Sequence, residues 1–198
     1  MSNPDALLHD FQSITEPLRL EELFVTPQPT ELEIGCGDGG FLLEHAQRHP
    51  ERNFLGVERL LGRVRKLSKN GQRADLTNLR LLRIEARYVL DYLLPERAFS
   101  AAHVYFPDPW PKDKHARHRL IQPDFLPRIR RVLAPGGVLY LRTDDLPYFE
   151  QMQETFQGAD GFTEEPMPAA LSEITTEFER QWLAEGKRTH YAAYCLNS

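Results

Sequence analysis

Five carboxylates recur at matching places along this 198-residue chain: Glu33, Glu58, Glu85, Asp108 and Asp144. Each closes or follows a short apolar run, namely Thr30–Ile34, Asn53–Val57, Leu79–Ile84, Ala101–Tyr105 and Val138–Thr143. One acid after a strand is most often a helix N-cap, accepting from a free backbone N–H at the helix start. Five in register on one edge of a sheet point instead to a ligand that neutralises them, because carboxylates held together disfavour one another's ionised forms. Asp108 has the most distinctive setting, Phe106-Pro107-Asp108-Pro109-Trp110-Pro111-Lys112. Three prolines stiffen that backbone and fix the carboxylate beside a large aromatic. An aromatic face stacks a nucleobase, and an acceptor holds the donors on its Watson–Crick edge.

Glu33 runs into the glycine loop Gly35-Cys36-Gly37-Asp38-Gly39-Gly40, which matches G-x-G-x-x-G. That pattern alone serves several nucleotide-like ligands. Glu58 has the position of the acid that takes ribose hydroxyls in a dinucleotide site. Asp38, however, lies where a pyrophosphate would rest at a helix N-terminus, and with Glu33 it repels phosphate. The pair suits a ligand with a ribose, an adenine and positive charge but no phosphate. S-adenosylmethionine meets that description and NAD does not. Cys36 reads as a small buried filler.

The elements that must position these groups alternate. Helices are expected at 41–49, 60–70, 88–94, 124–133, 148–156 and 177–185, with a last strand at His190–Leu196. Short strands separated by helices imply βαβ units. The expected fold is therefore α/β: a doubly wound, mostly parallel sheet with a C-terminal antiparallel strand. Such sheets bind ligands at the carboxyl ends of their strands. Residues 1–29, with Pro4, Pro17, Pro27 and Pro29, read as a loosely ordered N-terminal arm, and 30–198 as a single domain.

Hydrophobic residues at 41% and charged residues at 27% are ordinary for a globular chain. No apolar run nears the roughly 18 residues of a membrane span. The start carries no basic region of the signal-peptide kind, and two cysteines make no disulfide framework. A cytoplasmic protein is expected, with no membrane partner. The net charge of −5 argues against a nucleic-acid partner, but its distribution does not. Arg59 to Arg73 holds six basic residues and no acid; Lys112 to Arg131 holds seven against Asp113 and Asp124. Such segments can present a local anion-binding face on an acidic body. The stretch Lys112 to Arg119, with His115 and His118, suits phosphate contacts. His9, His45, His49, His103 and His190 show no metal-ligand spacing, and no metal is expected.

Leu32-Glu33-Ile34-Gly35-Cys36-Gly37, Phe54-Leu55-Gly56-Val57-Glu58, Phe106-Pro107-Asp108-Pro109-Trp110, Thr143-Asp144 and Thr176-Glu177-Phe178-Glu179 together carry a resemblance. The chain resembles the bacterial tRNA (guanine-N7-)-methyltransferases from about Leu32 to its C-terminus. The resemblance implies a class I, Rossmann-like methyltransferase. It would transfer a methyl group from S-adenosylmethionine to N7 of the variable-loop guanine, position 46, of tRNA. It implies cofactor binding by Glu33, Gly35, Gly37, Glu58, Glu85 and Asp108, with Asp108 also catalytic. Lys112, Asp144, Thr176, Glu177, Phe178 and Glu179 would bind substrate. Lys114, His115, Ala116, Arg117, His118 and Arg119 would face the RNA. Three positions depart from the family pattern: Glu85 stands where Asp is usual, and Asp113 and Ala116 dilute the basic loop. Thr176-x-x-Glu179 also has the form of a capping box. The alternative reading is another S-adenosylmethionine-dependent methyltransferase, acting on a different nucleic acid or a small molecule. An NAD-dependent oxidoreductase conflicts with the loop charge, and a catalytically silent tRNA-binding protein is the third reading. The sequence assigns no oligomeric state.

Overall fold

The sheet is organised by a strand whose residues alternate. β1 (Thr30–Ile34) reads Thr-Glu-Leu-Glu-Ile, so Leu32 and Ile34 point to one face and Glu31 and Glu33 to the other, yet all five residues are buried. The computed structural model describes residues 5–197, without the side chains of Asp113, Glu177, Phe178 and Gln181. It contains six further strands: β2 (Asn53–Glu58), β3 (Leu79–Arg83), β4 (Phe99–Tyr105), β5 (Leu133–Thr143), β6 (Phe162–Glu165) and β7 (His190–Leu196). Their order is β3-β2-β1-β4-β5-β7-β6. β1 to β5 pair in parallel, and β7 runs antiparallel to β5 and β6. The order reverses between β1 and β4, which makes their carboxyl ends the switch point where such sheets bind ligands.

The helices are α1 (Leu20–Leu23), α2 (Leu42–Arg48), α3 (Leu61–Arg73), α4 (Ala86–Tyr88), α5 (Phe125–Val132), α6 (Leu146–Phe156), α7 (Ala169–Ser172) and α8 (Glu177–Ala184). α4 continues as a π-helical turn, Val89–Leu93. On one face Leu32, Leu55, Val104 and Leu141 pack against Val89, Phe125, Ile129 and Met152. On the other Phe54, Leu79 and Leu81 pack against Leu42 and Ala46 of α2 and Val64 and Leu67 of α3. α3 buries positions 64, 67, 68 and 71, the spacing of one helical face. Each fully buried leucine contributes roughly 2 kcal/mol of transfer free energy, so strand ends carried on these layers are held firmly. Over β1, β4 and β5 the second face is polar: Glu31, Glu33, His103, Tyr105, Tyr140 and Arg142. A small cluster of Phe41, Tyr105, Leu171 and Ile174 covers this row. Among the described residues no helix is long and apolar enough to cross a membrane.

β1 and β7 have the expected bounds, and most other elements shift by one to three residues. β5 differs more, beginning at Leu133 rather than Val138. Pro135-Gly136-Gly137, expected to precede the strand, forms an irregularity inside it, where the register jumps from Phe99↔Leu133 to Ala101↔Val138. A Cβ on Gly137 would lie 2.9 Å from the Phe99 carbonyl oxygen and 2.8 Å from that of Ala134, so the close approach needs glycine. α1, α7 and β6 have four residues each, too short to show a period, and were not anticipated. From residue 5 onward the N-terminal arm is docked on the sheet. Leu81 N–H donates to Leu7 O and His9 N–H to Leu81 O, both at 2.9 Å, while Leu7, Leu23 and Phe24 are buried. β3 is an edge strand with free backbone groups on its outer side, and the arm satisfies some of them.

Candidate active site at the carboxyl edge of the sheet

The strand-end acids do share one edge, since each closes or follows one of the five parallel strands. At the end of β1 the chain turns through Gly35, Gly37 and Gly39 at φ of 78°, 56° and 85°, a region that favours glycine. Gly35 and Cys36 N–H both donate to Val57 O, anchoring the loop to β2. Glu58 completes the anchor, its Oε2 accepting from Gly37 N–H at 3.2 Å and its Oε1 from Leu60 N–H at 2.8 Å. Burial pushes Glu33 up to about 8, with Arg142 pulling it down and Glu58 adding to the rise. Its Oε2 is buried without a partner among the described residues. The Cys36 thiol is pushed far up by burial and by the charges of Glu33 and Glu58, which suits a filler and not a nucleophile. Asp38, expected to repel phosphate together with Glu33, has a cationic partner: Lys66 Nζ donates to it at 2.6 Å. That ion pair tempers its repulsion of phosphate, and Glu33, raised to about 8, carries little charge at neutral pH, so the loop's charge argues against a pyrophosphate less strongly than the sequence suggests.

Glu85 and Asp144 separate. Glu85 is exposed and caps α4, accepting from Tyr88 N–H at 2.8 Å. α6 is capped instead by Asp145, which accepts from Tyr148 N–H at 2.8 Å. Asp144 is thereby free of the capping role and half-buried at the end of β5.

Asp108 is exposed on the loop after β4. Phe106 and Trp110 flank it at φ of 51° and 43°, a costly conformation for bulky residues that persists only where the surroundings enforce it. Those surroundings are visible. Phe106 N–H donates to Arg142 O at 2.8 Å, and the Phe106 ring meets Trp182 edge-on at 5.4 Å. Arg119 Nε donates to Pro109 O at 2.7 Å, while its Nη1 bonds Gln151 of α6. The basic segment folds as a 3₁₀ turn, Asp113–His118, and sets His115 and His118 beside the Trp110 ring at 5.9 and 5.1 Å. Lys112, Lys114, Arg117 and His118 are exposed, with Ala116 half-buried. Arg119, expected to face RNA, is half-buried and braces the Asp108 loop.

The segment after α7 is a capping box: Thr176 N–H donates to Glu179 Oε2 at 2.8 Å and Glu179 N–H to Thr176 Oγ1 at 3.1 Å. Glu179 is only 1% exposed. The roles expected of the Glu177 and Phe178 side chains lie outside the described residues.

Sequence reasoning missed Glu31. His45 Nε2 and His103 Nε2 both donate to its Oε2 at 2.9 Å, and Arg52 Nη1 donates to its Oε1 at 2.5 Å. Burial raises Glu31, but the bonds from His103 and His45 outweigh it and hold the carboxyl well below the usual range. His103 Nδ1 accepts from the Tyr105 hydroxyl at 2.8 Å, the tautomer that leaves Nε2 protonated. Two of the histidines that showed no metal spacing along the chain, His45 and His103, thus converge in space on Glu31, with ligand atoms within 4.8 Å of one another. Arg52 already neutralises Glu31, so a divalent cation there would leave buried charge uncompensated. The node is read as a structural tie between β1, α2 and β4.

A family model described as "Putative methyltransferase" matches residues 27–192. A relative in Syntrophotalea carbinolica, named tRNA (guanine-N(7)-)-methyltransferase, is 33% identical over 94% of this chain and 82% of its own. Relatives of the same name in Thermotoga maritima and Sodalis glossinidius are 34% and 37% identical, each over 87% of this chain and over 56% and 73% of their own lengths. The chain belongs to the bacterial tRNA (guanine-N7-)-methyltransferase family. A solved structure titled as the 16S rRNA methyltransferase KamB superposes with a TM-score of 0.65 over 90% of this chain and 93% of that one, at 18% identity. At that identity the likeness speaks for the class I methyltransferase fold alone. Within the family, the acids at the carboxyl edge and the Phe-Pro-Asp-Pro-Trp loop fall inside the matched residues.

Proposed function

We propose that the protein transfers the methyl group of S-adenosylmethionine to N7 of the variable-loop guanine, position 46, of tRNA. The observation that carries this reading is Asp108. It is an exposed carboxylate on a loop strained at two residues and braced by Arg119, between the acids of the sheet edge and a basic turn. The comparisons add the family to that geometry.

The donor set fits the cofactor. Glu33 offers a buried carboxyl oxygen with no partner among the described residues, matched to an ammonium or hydroxyl donor. Gly35 and Gly37 leave the space a Cβ would fill open to a close approach. Glu58 spends one lone pair per oxygen on backbone and keeps others for ribose hydroxyls. When bound, S-adenosylmethionine supplies an electrophilic methyl group on a sulfonium. Guanine N7 carries a lone pair and no proton, so the displacement needs no general base. The chain's residues therefore act by placement and charge. Asp108 accepts from the guanine's donors and faces the positive charge that develops on the base. Asp144, freed from capping, helps hold the base, and Lys112, Lys114, Arg117 and His118 take phosphates. A tRNA substrate places the work in the cytoplasm.

Labelled methyl transfer to total tRNA, followed by chain cleavage at 7-methylguanosine, tests the reading. One break in the variable loop is expected. No incorporation, or label confined to another base, would overturn it.

A further inference from the structure

The buried polar row ends in an arginine that this chemistry does not use. Arg142 stands on β5 two residues before Asp144 and is 0% exposed. A guanidinium taken wholly out of water is tolerated only where its donors and charge are met. Here two of its three nitrogens are met by one short stretch of chain. Nη1 donates to Ile174 O at 2.9 Å and approaches Glu179 Oε2 at 3.4 Å, and Nη2 donates to Leu171 O. Leu171 lies in α7 and Ile174 just after it, and Leu171 O also accepts from Ile174 N–H at 3.2 Å. The guanidinium carbon also lies 4.1 Å from the centroid of the Tyr105 ring and 5.6 Å from that of Tyr191. On the backbone side, Arg142 O accepts from Phe106, the first residue of the Asp108 loop. One residue thus touches both the Asp108 loop and the segment running into Thr176–Glu179.

The alternatives for that segment are weak. α7 has four residues and cannot hold its own position. Its apolar anchors are Leu171 and Ile174, in the small cluster with Phe41 and Tyr105. Glu179 Oε1 and Arg142 Nε are buried without partners among the described residues, so the contact is polar and incompletely satisfied. An arrangement of that kind specifies geometry more than it adds stability.

We propose that Arg142 is a positioning residue of the methyl-transfer site, clamping the Leu171–Glu179 segment onto the sheet edge so that the segment and α8, whose Trp182 meets Phe106 of the Asp108 loop, stay in place where the target base is proposed to bind. The docking part stands on the structure alone, and the part concerning the base rests on the function proposed above. Arg142 also acts on Glu33 by charge, but makes no hydrogen bond to it, so the cofactor side should feel its loss weakly.

The test compares wild type, R142M and R142K by amide hydrogen exchange across residues 171–180 and by steady-state kinetics. Exchange should quicken about tenfold or more in R142M, because the segment's opening is what Arg142 opposes. R142K keeps the charge but not the fork that spans two carbonyls, and should fall between R142M and wild type. It also keeps the test open if R142M does not fold. The KM for tRNA should rise about tenfold in R142M, with the KM for S-adenosylmethionine within about threefold of wild type. Adding E179Q to R142M should cost less than about threefold more, as expected of residues acting through one contact. Unchanged exchange at 171–180 in whichever variant folds would overturn the clamp. So would an equal rise in both KM values, the mark of general damage. Failure of wild type to methylate tRNA would overturn the function reading instead, and leaves the exchange result to decide the clamp.

Discussion

Replacing Glu33 by glutamine should stabilise the free protein, and by an amount that grows with pH. Burial pushes Glu33 from an ordinary value of 4.5 up to about 8. Between those values the folded chain keeps a proton that the unfolded chain has released. The folded state then binds more protons, and stability falls as pH rises. The contribution is intact below 4.5 and is lost as pH climbs through 8. Each pH unit is worth about 1.4 kcal/mol, so Glu33 alone removes roughly 3 kcal/mol by pH 7 and about 5 kcal/mol by pH 9. Glutamine keeps the shape of the protonated acid and cannot ionise. Urea unfolding of both proteins at pH 5.5, 7 and 8.5 measures the difference directly. The advantage of E33Q should widen by about 3 kcal/mol across that span. Parallel pH profiles would show that Glu33 does not hold its proton in the fold, and would refute the burial argument.

Asp108→Ala should lower turnover about 10²-fold through lost reacting geometry while cofactor affinity, measured by calorimetry, changes little. The wild-type single-turnover rate should be nearly flat from about pH 6.5 to 9, and a tenfold rise per pH unit would reveal an obligatory base. The triple variant K112E/K114E/R117E should abolish tRNA binding in a filter assay and spare cofactor binding, with wild-type affinity falling steeply in salt. Arg119 is left out of that variant because it braces Pro109. Glu31→Ala strips the acceptor from two buried histidines and the partner from Arg52; urea unfolding should record a loss of about 2–4 kcal/mol, and a loss below about 1 kcal/mol would remove the node from the stability account.

The carboxyl edge was legible because parallel strands end in phase: acids that close successive strands must lie along one edge, where Glu33 and Glu58 come close enough to act on each other by charge. Glu31 was not, because the Glu-Leu-Glu alternation of β1 is also the pattern of a half-exposed strand. What buries it is long-range, since its histidine partners lie 14 and 72 residues away in sequence. Capping chemistry sorted the acids in a way that spacing could not, assigning Glu85 and Asp145 to helix starts and leaving Asp144 free. Charge runs failed at one residue for a similar reason. Arg119 looks like its basic neighbours in the chain, but Pro109 and Gln151 lie within its reach only after folding. The arm's prolines suggested looseness, whereas the open edge of β3 gave it somewhere to dock.

The claim that most needs testing is the identity of the nucleophile. Transcripts of a substrate tRNA carrying 7-deazaguanine in place of guanine keep the base's Watson–Crick edge and replace only N7. Single-turnover transfer of labelled methyl, with binding measured on the same transcripts, separates recognition from reaction. The account predicts that binding persists within about threefold, since Asp108 and the basic turn meet groups that remain, while methyl transfer falls to background. Methyl transfer to the 7-deazaguanine tRNA at the wild-type rate would contradict it.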